Sequence, residues 1–185
     1  DDIVIIAGDI SWGLKLDEAM ADLEWIHELP GQKVLLRGNH DLWWCRIQHL
    51  RTLYDDMHFL QNDCYYLEAL DLAICGSRGW PTPDAATYTE HDEKMYLREQ
   101  GRLRNSLVEA KKKGASRIIM AMHYPPAKVE ETEFTRIMQE YGVTQCVYGH
   151  LHGMVAWTNG IKGEHGGIDY KLVSLDYLGA RPKLI

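Results

Sequence analysis

Apolar and polar positions follow two periods along the chain, and each switch marks an element. Residues 3–7 form a β-branched apolar run that predicts a buried strand ending at Gly8-Asp9. Apolar residues then recur at Ala19, Met20, Leu23, Ile26 and Leu29, a helical spacing over residues 17–29 that Pro30-Gly31 stops. Residues 33–36 predict a second strand ending at Arg37-Gly38, and residues 42–54 read as a helix capped by Asp41. Residues 57–60, 64–69 and 72–75 read as three strands in quick succession, with Gln61-Asn62-Asp63 as a hairpin turn. A Gly- and Pro-rich loop spans residues 76–89. A long charged helix follows over residues 90–113, its lysine-rich end complementing the helix dipole. Residues 117–122 predict a strand leading to His123, residues 134–141 a short helix, and residues 145–148 a strand leading into Gly149-His150. Strands near residues 155–158 and 169–175 give the end the look of a β meander. The order is βαβα, an antiparallel insertion, then mostly β. It predicts an α/β fold in which two sheets pack face to face with helices outside.

Composition narrows the class only a little. At 185 residues the chain suits a single domain with a sizeable core. The net charge of -7 argues against an extended nucleic-acid partner, because such binding needs a basic face. Cys45, Cys64, Cys75 and Cys146 are scattered without a C-x-x-C pair and read as free thiols, which points to a reducing, cytoplasmic setting. No apolar stretch approaches the roughly 18–20 residues of a membrane span, and no signal peptide is visible.

The candidate chemistry sits at strand ends, where ligands gather in such sheets. Asp9 is a carboxylate able to bridge two ions, and Asn39 offers an uncharged amide oxygen. His150 and His152 are two apart, so in an extended segment they leave on one side. With His123 these are the donor types that divalent ions accept. Two such ions about 3.5–4 Å apart can clamp a phosphate and activate the water between them, so no serine or cysteine nucleophile is required. His40 is left as an imidazole beside the cluster, suited to protonate a departing alkoxide. Arg37 and Arg78 are candidates to bind the phosphate bidentately. Asp41 reads as a cap, Trp43-Trp44 as core, and the basic stretch from Arg98, interrupted by Glu99 and Glu109, as a solvated helix face.

Gly8-Asp9, Gly38-Asn39-His40-Asp41, His123 and Gly149-His150-Leu151-His152, in that order, closely resemble the motifs of the calcineurin-like metallophosphoesterase family. Ser77-Arg78-Gly79-Trp80, Tyr96-Leu97-Arg98 and Tyr124-Pro125-Pro126 look like a branch of small bacterial members. The resemblance implies a two-sheet sandwich flanked by helices and metal-dependent phosphate-ester hydrolysis by a metal-bridging water in a two-metal centre. It implies that Asp9 bridges both ions, that Asn39, His123 and His150 complete one site, and that His152 belongs to the other. It also implies His40 as the catalytic histidine, with Mn, Fe, Zn, Co or Ni as the ions and a small phosphorylated molecule as substrate.

Two departures accompany it. The family's D-x-H, which ends its first strand, is absent upstream of Asp9, so an N-terminal strand is expected to be missing and the second metal site incomplete. The D-R-G of the Ser/Thr protein phosphatases is also absent, since Ile10-Ser11-Trp12-Gly13 follows Asp9. A phosphodiesterase or nuclease of the same family, and a non-catalytic interaction scaffold on this fold, are the alternatives.

Overall fold

Strands that are aliphatic on both faces need cover on both faces, and this chain supplies it with a second sheet on one side and helices on the other. In the computed structural model, which describes residues 2–185, the elements are β1 (Ile3–Ile6), α1 (Leu16–Glu28), β2 (Gln32–Leu35), α2 (Ile47–Leu50), β3 (Met57–Phe59), β4 (Cys64–Leu67), β5 (Leu72–Ser77), α3 (Glu90–Lys112), β6 (Arg117–Met122), α4 (Glu133–Glu140), β7 (Gln145–Tyr148), β8 (Gly163–His165) and β9 (Ile168–Leu172). One sheet has the order β1-β2-β3, all parallel; the other has the order β4-β5-β6-β7-β9-β8. Within the second sheet β5, β6, β7 and β9 run parallel, and β4 and β8 close its edges antiparallel.

The two-residue strand period assigns each side chain to a layer. Val34 of β2, Ile74 of β5, Ala121 of β6 and Val147 of β7 meet between the sheets, together with Leu36 and Leu60. Their neighbours in sequence point outward. Leu35 packs under α1 with Leu23, Ile26, Trp43 and Phe59. Ile118, Met120, Cys146 and Tyr148 pack under α3 and α4 with Leu103, Leu107, Phe134 and Ile137. The result is four layers, helix–sheet–sheet–helix.

Local chemistry sets the helix ends. Thr89 accepts the Asp92 N–H while Asp92 accepts from the Thr89 N–H, and Thr132 and Thr135 form the same reciprocal cap on α4. Gly114 and Gly142 follow α3 and α4 with φ of 81° and 71°, a left-handed stop that glycine adopts without a Cβ clash.

Three expectations need correction. Residues 42–54 form helix only over Ile47–Leu50, because the Asp41 carboxylate is occupied by other loops and caps nothing. Trp43 and Trp44 are core, as expected, but they sit on a turn. Gln61-Asn62-Asp63 is a turn with left-handed Asn62 (φ 61°), yet it joins β3 of one sheet to β4 of the other and closes no hairpin. The hairpin is β4–β5, turned at left-handed Asp71. Residues 155–158 form no strand. Gly153 turns the chain, the Trp157 N–H bonds back to the Gly153 carbonyl, and Ala156–Asn159 becomes a 3-10 turn. The end is therefore one antiparallel pair, β8–β9, attached in parallel to β7, and not a meander.

One buried charge ties α1 to its sheet. Lys33 is 2% exposed, and its ammonium donates to the last carbonyls of α1, at His27 and Leu29, and to Asp56 before β3. Lys33→Met keeps the stem but leaves those acceptors short of a donor. We expect a loss of about 2 kcal/mol in stability, read from the urea midpoint; an unchanged midpoint would make Lys33 a spectator.

Candidate metal centre

Four strands end at one rim of the sandwich. β1 and β2 of the smaller sheet lead to Asp9 and Asn39, and β6 and β7 of the larger sheet lead to His123 and His150. The rim is tight. A Cβ on Gly8 would lie 2.7 Å from Gly38 and from His123 Nδ1, so the two loops touch where neither carries a side chain. Asp9 and His150 are both left-handed, at φ of 56° and 69°, a conformation that non-glycine residues hold only under tertiary constraint.

The constraint on Asp9 is Asp41. Its carboxylate is fully buried and accepts from the backbone N–H groups of Asp9 (2.8 Å), Ile10 (2.7 Å), Ser11 (3.2 Å) and Gly38 (2.7 Å), and from Trp43 Nε1 (3.0 Å). One side chain thus fixes the loop after β1 against the loop after β2. Asp9 returns the link, its Oδ1 accepting the His40 N–H at 2.8 Å.

The donor atoms converge. His123 Nδ1 donates to the Ala7 carbonyl (2.8 Å), an acceptor that leaves Nε2 bare in a neutral ring. That Nε2 lies 2.6 Å from Asn39 Oδ1 and 3.5 Å from Asp9 Oδ2, and His150 Nδ1 lies 2.9 Å from the same Asn39 oxygen. Burial pushes both imidazoles toward the neutral form. His123 falls below the ordinary histidine value despite the nearby Asp9 carboxylate, and His150 is pushed down to about 4 by burial and then by His123. A lone pair of His123 therefore faces a lone pair of Asn39 with no proton between them. His150 Nδ1 lies 3.3 Å from His123 Nε2 as well, so the protons that close the cluster come from the Nδ1–H tautomer of His150 or from the opposite orientation of the Asn39 amide. Ligand atoms of Asp9, His123 and His150 lie within 4.8 Å of one another, and carboxylate, amide and imidazole donors fit a divalent ion of the Mn-to-Zn range.

Other expected residues stand around this set. His152 is exposed outside it, with its Nδ1 3.0 Å from Asp176 Oδ1, while Asp176 Oδ2 accepts the Gly153 N–H at 2.8 Å. His40 is exposed at the mouth, its ring 4.4 Å from that of Trp12. Arg37 donates from Nε to the Asp41 carbonyl (3.2 Å). Arg78 stacks with its guanidinium carbon 4.5 Å over the Trp80 ring. Three participants escaped the pattern reading: Asp41 as an organiser of loops, Asp176 as the partner of His152, and Trp12 beside His40. Asp176 was open to discovery by the strand-end rule, because it follows β9 as Asp9 follows β1. Glu99 also departs from its reading, being fully buried where a solvated helix face was expected.

The family model for calcineurin-like phosphoesterases matches residues 1–154, a span that includes every donor just described and stops short of Asp176. No curated protein matches the chain.

Asp41→Asn would aim amide hydrogens at backbone N–H donors. We expect lower bound Mn²⁺ by elemental analysis and a stability loss of about 1–3 kcal/mol; full metal content would show that the Asp9 turn holds without Asp41. Acid should also weaken the metal-depleted fold. His150 and His123 titrate lower in the folded than in the unfolded state, so between the unfolded value near 6.5 and about 4 the unfolded chain binds more protons. Their contribution is fully present above that window and declines as pH falls through it. The urea midpoint of EDTA-treated protein should drop from pH 6.5 to 4, and His150→Gln should flatten that drop.

Proposed function

The chain belongs to the calcineurin-like phosphoesterase family, and we propose that it hydrolyses a phosphate ester of a small molecule with the help of two divalent ions. Asp9, Asn39, His123 and His150 would hold one ion, with Asp9 shared and His152 at the second. A bound ion supplies Lewis-acid polarisation of the phosphate and lowers the pKa of a water. The observation that carries this reading is the convergence of His123 Nε2, His150 Nδ1, Asn39 Oδ1 and the Asp9 carboxylate at four strand ends.

The chain's own groups divide the remaining work. His123 is held by the Ala7 carbonyl in the tautomer that leaves Nε2 free to bind. His152 is oriented in the same way by Asp176. His40 has its main chain anchored on Asp9 and its ring against Trp12, which positions an exposed imidazole to hand a proton to the leaving alkoxide. Arg37 and Arg78 would pair with phosphoryl oxygens. The free thiols, three buried and Cys45 exposed, accord with a reducing cytoplasmic setting. No helix among the described residues is long and apolar enough to cross a membrane.

The test is His40→Ala with p-nitrophenyl phosphate and Mn²⁺. Turnover should fall by about 10²–10⁴-fold with metal content unchanged. Parallel loss of metal would make His40 a ligand, and silence of the wild-type protein on mono- and diesters with several metals would favour a non-catalytic scaffold.

A further inference from the structure

A cluster of arginines lies on the His123 side of the centre. The Arg78 carbonyl accepts the N–H groups of His123 (3.2 Å) and Tyr124 (2.9 Å), which fixes Arg78 one hydrogen bond from a candidate donor. Its Nε is buried and has no hydrogen-bond partner among the described residues. Helix α3 brings two more arginines to the same place through Glu99, which is 0% exposed. Arg98 Nη2 (3.3 Å) and Arg102 Nη1 (2.9 Å) donate to Glu99 Oε1, and Ser77 Oγ, adjacent to Arg78, donates to Oε2 at 3.2 Å. Arg37 arrives from the end of β2.

Charge does not balance here. Among the described residues Glu99 is the carboxylate that pairs with these guanidinium groups, and the Asp41 carboxylate adds a second negative charge beside Arg37, so four cations face two anions. Burial lowers the pKa of Arg37 and of Arg78; Asp41 and Glu99 oppose this for the first, and Glu99 and Tyr124 for the second. Neighbouring arginines add to the lowering, Arg102 and Arg98 for Arg37, and Arg37 and Arg98 for Arg78. Most of the N–H donors of the four side chains bond no protein acceptor among the described residues: Arg37 Nε, Arg98 Nη2 and Arg102 Nη1 donate to protein groups, and Arg78, whose Nε is buried, to none. In a chain of net charge -7 this is a local excess of cation held by the fold, with Arg98 exposed and Arg37, Arg78 and Arg102 partly buried. A group of dianionic oxygens is the chemistry that completes guanidinium forks of this kind. One scissile phosphoryl group paired to Arg37 and Arg78 leaves Arg98 and Arg102 over.

We propose that Arg98 and Arg102, continuous with Arg37 and Arg78, form a subsite for a second phosphoryl group, so that the substrate is a small molecule carrying two. The identification of the anion as substrate rests on the phosphoesterase reading; the anion site itself does not. Titration calorimetry of EDTA-treated protein with pyrophosphate tests it without hydrolysis. We expect binding that Arg98→Gln weakens by about tenfold, the loss of one charge-assisted contact. Arg104→Gln removes the same charge from the same helix, but Arg104 pairs with Glu133 and Glu140, and binding should be unchanged. Should Arg98→Gln fail to fold, Arg98→Lys keeps the charge, loses the fork and must still weaken pyrophosphate. Absence of binding, or equal weakening by Arg98→Gln and Arg104→Gln, would overturn the subsite, and malonate bound as tightly as pyrophosphate would overturn its phosphoryl assignment. Binding together with complete lack of hydrolysis by the Mn²⁺-loaded protein would count against the hydrolase and not against the site.

Discussion

The site depends on a carboxylate that does no chemistry. Asp41 has no exposed surface, and without its two oxygens four backbone N–H groups and an indole N–H would be buried unsatisfied in two adjoining loops. Because it grips Asp9 and Gly38 through the backbone, it also determines that Asp9 takes a left-handed turn and aims its side chain across the rim. The strain of that turn is sustained by the bonds around it and not by the identity of Asp9. The glycines at 8 and 38 are the steric half of the same arrangement, since any side chain there would push the loops apart.

A gradient of burial runs outward from that anchor. The His123 and His150 rings are shielded and held neutral, while His40, His152 and Trp12 face solvent. Groups that hold an ion need fixed geometry and an unprotonated nitrogen, and burial supplies both. Groups that meet a substrate or pass a proton need access. The fold sets the shielded candidates His123 and His150 below and the exposed His40 and His152 above, His152 taking its fixed geometry from Asp176 instead of from burial.

Much of this was legible before any coordinates. The aliphatic strands and the helices read over residues 17–29 and 90–113 declared themselves through period, the Pro30-Gly31 stop and the lysine-rich end, because their burial is one-sided or complete and local pattern reports burial. The convergence of the candidate donors Asp9, Asn39, His123 and His150 was legible through their place after those strands. What pattern could not show was competition for a group. Asp41 looks like a helix cap until a loop more than thirty residues earlier claims its oxygens, and the helix it would have capped shrinks to one turn. Residues 155–158 have strand composition, but their backbone bonds close locally from Gly153. Glu99 sits in a charged helix sequence that reads as solvent-facing, and only the packing of α3 over β5 reveals that it is buried. Each miss is a tertiary contact overriding a local preference.

The placement of the four donors also has a kinetic side. Either sheet alone carries two of them: Asp9 and Asn39 in one, His123 and His150 in the other. The ladders that position them are largely parallel and join strands far apart in sequence, which costs loop-closure entropy before any pairing is rewarded. No partly folded species with only one sheet formed can present the full chelating set. An ion held by all four would thus be captured late on the folding route, after both sheets have docked.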